Sequence, residues 1–474
     1  MSRRKLAIAL LLGLAWAVHA RAEVILQYFN TSWNEIATRM PELAEAGYTA
    51  LWLPPPFQAG SQNSVGYDVF DRFNFGSGGV ITRYGTADDL LSMVVIAHRF
   101  GIRIYFDNIM AHNGGPLPNT PVSTLSTTQP YFVPEDFHLI QQTNGTYATP
   151  PSSIDYNGNE WQVLNRSAFG LDIAQEDPNT SFGPQEGDSY PKFHGIRQPT
   201  HPEFYPDTNI TAAINGFGQA VHPFTGAGQP VSEDVNAMLI RAAGWFLDQT
   251  KCDGFRLDDV KGAPSYFFGD QNATNKDVDN AGYCGGIQEQ FNITHGYSDW
   301  TNHRDSLFSD QLPRDDAMIF GEDLGQPNPC TFTCQQGYVD AGMRVDDNEF
   351  YSRMFQAVCG GCNGLWDLDQ PGAYAFGGLG TSLIHVGTHD YNDISFFDRT
   401  SAHATLLTRA GLPSVYTDGY NEEQTIQSDG KYFPAHGNNA FLGQFGDKHL
   451  PNLLYINQLF ARGDQIGKWS DQSY

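Results

Sequence analysis

Apolar residues fall along this chain in short runs that alternate with longer stretches of helical spacing. "EVILQYFN" (23–30) precedes "SWNEIATRMPELAEAG" (32–47), and "TALWLPPP" (49–56) precedes "TADDLLSMVVIAHRFG" (86–101). Six more β-branched or aromatic runs follow: "IRIYFDN", "DGFRLDD", "AMIFGEDLG", "GMRVDD", "SLIHVGTHD" and "LPSVYTDG". Eight strands separated by helical segments predict an α/β fold, a parallel (β/α)8 TIM barrel. One interval breaks the rhythm. Between Asp107 and Asp253 the chain is rich in Pro, Gly, Asn and Thr, with one strong helical pattern, "SEDVNAMLIRAAGWFLDQT", for which Ser232 is the expected N-cap. A long structureless loop is improbable in a compact domain. The economical organisation is a barrel over 23–112 and 232–474, with an inserted irregular subdomain, 113–231, after the third strand.

The first residues, "MSRRKLAIALLLGLAWAVHARAEV", place Arg3, Arg4 and Lys5 before an apolar run and end it on Ala20-Arg21-Ala22. This is the pattern of a signal peptide cleaved before Glu23, and the run is too short for a comfortable membrane span. A secreted or periplasmic protein is expected. The formal charge of the whole chain is −26, and loss of residues 1–22 removes four basic residues and no acidic one. So acidic a chain argues against nucleic acid and anionic membranes as partners, while neutral sugars remain allowed. In an exported chain the six cysteines suggest disulfides. Cys330, Cys334, Cys359 and Cys362 have spacing that could instead serve zinc. Cys252 and Cys284 are one possible pair, although sequence alone does not fix connectivity.

Charged residues then change the picture. In "DGFRLDDVKGAP" (253–264), alternation puts Gly254, Arg256 and Asp258 on one face of a strand and Phe255 and Leu257 on the other. Buried charges are costly unless paired. The run is either a structural ion pair or a catalytic carboxylate kept ionised by its arginine. Barrels of this kind carry their sites at the C-terminal strand ends. Those ends here hold Asp107, Asp258, Glu322 and the pair His389-Asp390. Polar residues recurring at one level are hard to explain as core packing.

These stretches resemble the α-amylase family, glycoside hydrolase family 13, from about residue 24 onward. "GYTALWLPPPFQ" with "GYDVFDRFNFG" resembles the second strand and its loop. "IYFDNIMAH" resembles the end of the third strand, "GFRLDDVKG" the nucleophile block, and "IFGEDLG" the acid block. "VGTHD" is similar to the block ending in His-Asp, and "AGLPSVYTDGYN" to the eighth-strand region. The resemblance implies a retaining mechanism with Asp258 as nucleophile and Glu322 as acid/base, its pKa raised by neighbouring carboxylates. Asp390 would be the third carboxylate, Arg256 would orient Asp258, and Tyr67, His112 and His389 would contact the sugar. Lys261 would reach the leaving-group side or remain a solvated charge. Trp52 reads as a core aromatic, Asp107 as an orienting residue, Asp68 and Asp71 as loop-organising, and Asp259 as non-catalytic.

The chain also departs from the family. The family pattern has Asn before the third-strand His, and that Asn commonly binds a structural calcium. Here the position is Ala111, with Asn108 and Asn113 as the nearest substitutes. Gly262 stands where a His is frequent, and Thr388 where Asn is frequent. "GLDIAQEDP" (170–178) resembles the block near the subdomain's end, but about 50 residues separate it from the next helix. No cofactor is expected for the chemistry, and calcium is doubtful. "NLLYINQLFARGDQIGKWSDQSY" ends about where relatives begin an antiparallel β domain, so a fragment and a protein without that domain both fit. The expected activity is endo-type hydrolysis of α-1,4-glucosidic bonds in starch and maltooligosaccharides, with α-glucan as the partner. A transglycosylase or short α-glucoside hydrolase, and a non-catalytic glucan-binding protein on the same barrel, are the alternatives.

Overall fold

The computed structural model describes residues 23–114, 132, 137, 140–141, 147–148, 154–155, 162–163, 170–173, 175, 235–263, 265–269, 282–295, 317–322, 338–339, 341–346, 348–358, 382–390, 399–409, 411–418 and 449–460. Eight parallel strands close a barrel, and they are the eight apolar runs of the sequence. They are β1 (Ile25–Phe29), β2 (Ala50–Leu53), β5 (Arg103–Ile109), β12 (Gly254–Asp258), β13 (Met318–Gly321), β14 (Arg344–Asp346), β15 (Ser382–His385) and β16 (Leu412–Asp418). Going round, each neighbours the next in chain order, and β1 pairs with β16 from Ile25↔Ser414 to Phe29↔Asp418.

Period-two alternation divides each strand between two cores. Ile25, Phe29, Trp52, Tyr105, Phe320, Leu383 and Tyr416 form a cluster within the barrel. Leu26, Leu51, Phe106, Phe255, Ile319, Val345 and Ile384 belong to the larger core beneath the helices. The crossover helices are capped as their sequences dictate. Helix α1 (Trp33–Ala46) starts at Ser32, whose side chain accepts the Glu35 N–H, and ends at Gly47 with φ 106. Helix α2 (Ala87–Arg99) starts with a capping box made by Thr86 and Asp89. Helix α3 (Val235–Thr250) answers to the expected 232–250 segment, and Ser232 lies outside the described residues. Next come α4 (Ser265–Phe268), α5 (Gly282–His295), α6 (Asn348–Val358), α7 (Arg399–Thr408) and α8 (His449–Leu459).

Small antiparallel pairs decorate the loops. β3 (Gln58–Ala59) pairs with β4 (Val69–Asp71) after the second barrel strand. In the stretch after β5, β6 (His112–Asn113) pairs with β11 (Leu171–Asp172), β7 (Ile140–Gln141) with β8 (Tyr147–Ala148), and β9 (Ile154–Asp155) with β10 (Gln162–Val163). The expected subdomain boundary at residue 113 therefore falls within a strand pair.

One expectation is overturned. Cys252 and Cys284 do not form a disulfide; both thiols are buried. Cys252 lies before β12, at its N-terminal end, while Cys284 opens α5 beside Tyr283, whose hydroxyl accepts from Asn108 near the other end of β5. Burial pushes the Cys252 thiol up to about 12, which makes it unreactive. The other four cysteines lie outside the described residues.

Candidate active site

The C-terminal ends of the barrel strands converge on one guanidinium. Arg256, 1% exposed, points inward from β12. Its Nη1 donates to Asp107 Oδ1 at 2.8 Å and to Asp258 Oδ1 at 2.5 Å, and its Nη2 lies 3.0 Å from Glu322 Oε2. The face of Trp52 lies below, 5.4 Å from the guanidinium carbon. Burial works against this charge, but Asp107, Glu322 and Asp258 override it and hold Arg256 protonated well above its ordinary range. An isolated structural ion pair would need one carboxylate, and here there are three.

Strand register explains why Asp258 and Glu322 meet. Leu257 of β12 lies opposite Gly321 of β13, and the Glu322 N–H donates to the Leu257 carbonyl at 2.9 Å. The next residues on each strand are therefore neighbours at the same level. Asp259 then turns into the left-handed region, φ 44, where Asp is one of the tolerated residues. Its N–H donates to Glu322 Oε2 at 2.8 Å. Asp259 thus acts at the site through its backbone. Two donors engage Oε2, so the proton of the acid form belongs on Oε1.

A second network approaches from the other side of Arg256. Tyr67 Oη donates to Asp107 Oδ2 at 2.8 Å and lies 2.9 Å from His389 Nε2, and Gln27 Nε2 lies 2.7 Å from His389 Nδ1. One tautomer gives each of these contacts a donor and an acceptor: Gln27 donates to Nδ1, Nε2–H donates to Tyr67, and Tyr67 donates to Asp107. Burial, with Arg256 and His385 adding to it, holds His389 well below the ordinary histidine range, so the ring is neutral. The rings of Tyr67 and His389 stack at 5.5 Å with planes 7° apart. Burial, with Asp258 adding to it and Arg256 opposing, pushes Asp107 up to about 7.

The carboxylates differ in access, and this separates their roles. Asp107 is 0% exposed, which leaves no surface for a substrate. Asp258 and Glu322 show small exposed faces, and the Asp390 side chain is 44% exposed. Asp390 Oδ2 lies 3.2 Å from His389 Nε2, and partial burial together with the Glu322 charge pushes its carboxyl up to about 6. The structure thus groups Asp258, Glu322, Asp390, Arg256, Tyr67 and His389. His112 lies further in, 2% exposed, with its Nε2 3.0 Å from the Tyr67 carbonyl. Lys261 belongs to a short 3-10 turn, Val260–Gly262, directly after Asp259. Trp52 is buried as expected, and its Nε1 also reaches Asp107 Oδ2 at 3.4 Å. Gln27 carried no sequence signal, because an isolated glutamine in a strand announces nothing.

A model of the alpha-amylase catalytic domain matches residues 30–177. The alpha-amylase of Geobacillus stearothermophilus is 27% identical over 307 residues, 61% of this chain and 52% of that relative. The glucan 1,4-alpha-maltohexaosidase of Bacillus sp. (strain 707) is 35% identical over 102 residues, 19% of this chain and 20% of its own. Over residues 30–177 the chain is similar to the alpha-amylase family. It spans about half the length of the first of these relatives. Among solved structures, the acarbose complex of the Geobacillus thermoleovorans alpha-amylase superposes with a TM-score of 0.52 at 16% identity. It covers 94% of this chain and 80% of that one. A maltohexaose complex of an Eisenia fetida alpha-amylase I variant gives 0.56 at 14% identity, over 96% and 80% of the two chains. At such identities these likenesses speak for the barrel alone.

Proposed function

We propose that this chain is a member of the alpha-amylase family and a retaining glycoside hydrolase that cuts α-1,4-glucosidic bonds within starch and maltooligosaccharides. The observation that carries the reading is the sharing of Arg256 by Asp258 and Glu322 on adjacent strands. Adjacent strands lie about 4.8 Å apart, which suits the roughly 5–5.5 Å between the carboxyl groups of a retaining pair. An inverting pair needs about 6.5–9.5 Å to admit its water. The similarity to an alpha-amylase and to a glucan 1,4-alpha-maltohexaosidase supports an α-glucan as the substrate class.

The chemistry follows from which oxygens are already engaged. Asp258 Oδ1 is held by Arg256, so Oδ2 attacks the anomeric carbon. The bond to the glycosidic oxygen breaks as Glu322 Oε1 delivers its proton there, leaving a covalent glycosyl ester on Asp258. Glu322, now a base, takes a proton from water, and the water oxygen replaces Asp258 at the same carbon. Asp390 favours the positive charge that develops on the sugar ring. Tyr67 and His389 present their stacked rings to the same sugar, and the resemblance assigns Lys261 the leaving-group side. His112 steadies the loop of Tyr67. The basic and apolar start of the chain supports export, and no helix among the described residues is long and apolar enough to cross a membrane.

The test is stereochemical. Proton NMR of the first products from a maltooligosaccharide, recorded before mutarotation, should show new reducing ends in the α configuration. Initial β-anomer would overturn the mechanism. Asp258→Asn and Glu322→Gln should each lose several orders of magnitude in kcat while keeping the wild-type melting temperature within a few degrees. Near-normal turnover by either variant would remove it from the mechanism.

A further inference from the structure

The family resemblance implies a structural calcium beside position 111, and the residues present do not fit one. Calcium takes six to eight oxygen ligands, with carboxylates prominent among them. Position 111 instead offers the methyl of a fully buried alanine. A Cβ added to Gly262 would lie 2.8 Å from the Ala111 Cβ and 2.8 Å from Asp259 Oδ2, so these two departures from the family pattern pack against each other. The amide nitrogen of Asn108 serves Tyr283 at 2.9 Å and that of Asn113 serves the Phe70 carbonyl at 3.2 Å. Among the described residues no group of three or more His, Cys, Asp or Glu could hold a metal.

The backbone oxygens at this end of β5 are engaged. Four successive carbonyls leave the end of β5, and each accepts from a protein donor. Ile109 O takes Arg72 Nη1 at 2.6 Å, and Met110 O takes Gln175 Nε2 at 2.5 Å. Ala111 O takes the Ile173 N–H at 2.9 Å, and His112 O takes Arg72 Nη2 at 2.5 Å. Asn236 Nδ2 closes the chain of contacts on the Gln175 carbonyl at 3.0 Å, joining α3 to the same seam.

We propose that Arg72 is the built-in cation of this seam, a guanidinium that ties three segments together in place of a metal. From the end of β4 it reaches across to β5 and β6, and Phe132 of the inserted stretch covers its face at 5.6 Å. Arg72 is 3% exposed. Burial lowers its pKa to about 10, against the pull of Tyr283 and Asp71, so it stays charged at neutral pH. Its planar fork spans two carbonyls at once, which a lysine ammonium cannot do in the same way. Because it holds the His112 carbonyl while the His112 ring holds the Tyr67 carbonyl, Arg72 is a positioning residue for the sugar-facing side of the site.

The test reads stability first and does not rest on the glycosidase reading. The full-length protein is melted in EGTA, in millimolar calcium, and with neither. Wild type should melt at one temperature throughout. Arg72→Met should melt about 3–6 °C lower, with no recovery in calcium and partial recovery in millimolar methylguanidinium, which can refill the fork. Arg72→Lys should fall between the two, and it decides the matter where the methionine variant does not fold. On the activity side, Arg72→Lys should raise KM for a maltooligosaccharide more than it lowers kcat. A wild-type melting temperature that drops in EGTA and returns with calcium would overturn the proposal, because the seam would then hold a metal. Equal melting temperatures for wild type and the arginine variants would overturn it too.

Discussion

Asp107 and Asp390 both touch the machinery around Arg256, one fully enclosed and the other open to solvent, and both titrate above the ordinary carboxylate range. In the proposed mechanism each is useful only when ionised: Asp107 as the partner of Arg256 and Tyr67, Asp390 as the charge facing the sugar. As pH falls through about 7 and then about 6, first Asp107 and then Asp390 takes up a proton. The acidic limb of kcat/KM is therefore expected between those values, well above the limb near 4 that an unperturbed carboxylate would give. Asp107→Asn should move the limb down toward about 6, the value of Asp390 alone, and lower kcat about 10–100-fold through misplacement of Arg256 and Tyr67. A pH–rate profile of wild type and variant checks both points. A limb that stays put in the variant would show that Asp107 is not its source.

At the scale of elements, the other end of the barrel has a titratable clamp of its own. His98, in the last turn of α2, bonds Asp253 Oδ2 at 2.9 Å, and the same oxygen accepts the Ile104 N–H at 2.8 Å. Asp253 also exchanges backbone bonds with Ile104 and Met318, so one aspartate links β5, β12, β13 and a helix. The hydrogen bond to Asp253 raises the His98 pKa, against the opposing effect of burial. A raised histidine stabilises fully below its unfolded value of about 6.5, and that contribution is lost as pH rises through the folded value. The melting-temperature advantage of wild type over His98→Gln should therefore shrink between pH 6 and pH 9; an advantage that grows would reverse the assignment. The elements themselves were legible because eight apolar runs with polar ends leave little choice of fold. Asp258, Glu322 and Asp390 stood out because charges at strand ends break the apolar pattern. What stayed hidden were the partners across the barrel. Gln27 and His389 are 362 residues apart, and nothing local to either points to the other. Arg72 carries no signal in the sequence, and its burial follows only from the folding of β4 against β6. The same limit explains the Cys252–Cys284 pairing, which the sequence left open and the structure does not make.

For the whole molecule, closure depends on joining the first strand to the last, and α8 straddles that junction. Its Leu450 and Leu454 are buried in the outer core. Asn457 Nδ2 donates to the Leu407 carbonyl of α7 at 2.8 Å, and Gln458 Nε2 donates to the Gly47 carbonyl at the end of α1. The helix after β1 and the helix before β16 are thus tied by a segment from near the end of the chain. Leu454→Ala should cost about 2–5 kcal/mol, the range for emptying a buried leucine site, and Gln458→Ala about 1 kcal/mol. The location of the loss is the sharper expectation. Because α8 bridges the β1–β16 seam, amides of Leu26–Phe29 and Val415–Asp418 should exchange faster in Leu454→Ala, while Phe255–Leu257 across the barrel should keep their protection. Hydrogen-exchange mass spectrometry of both variants can map this. Uniform acceleration around the barrel would mean that the eight strands open as one unit and that α8 contributes stability without guarding the seam.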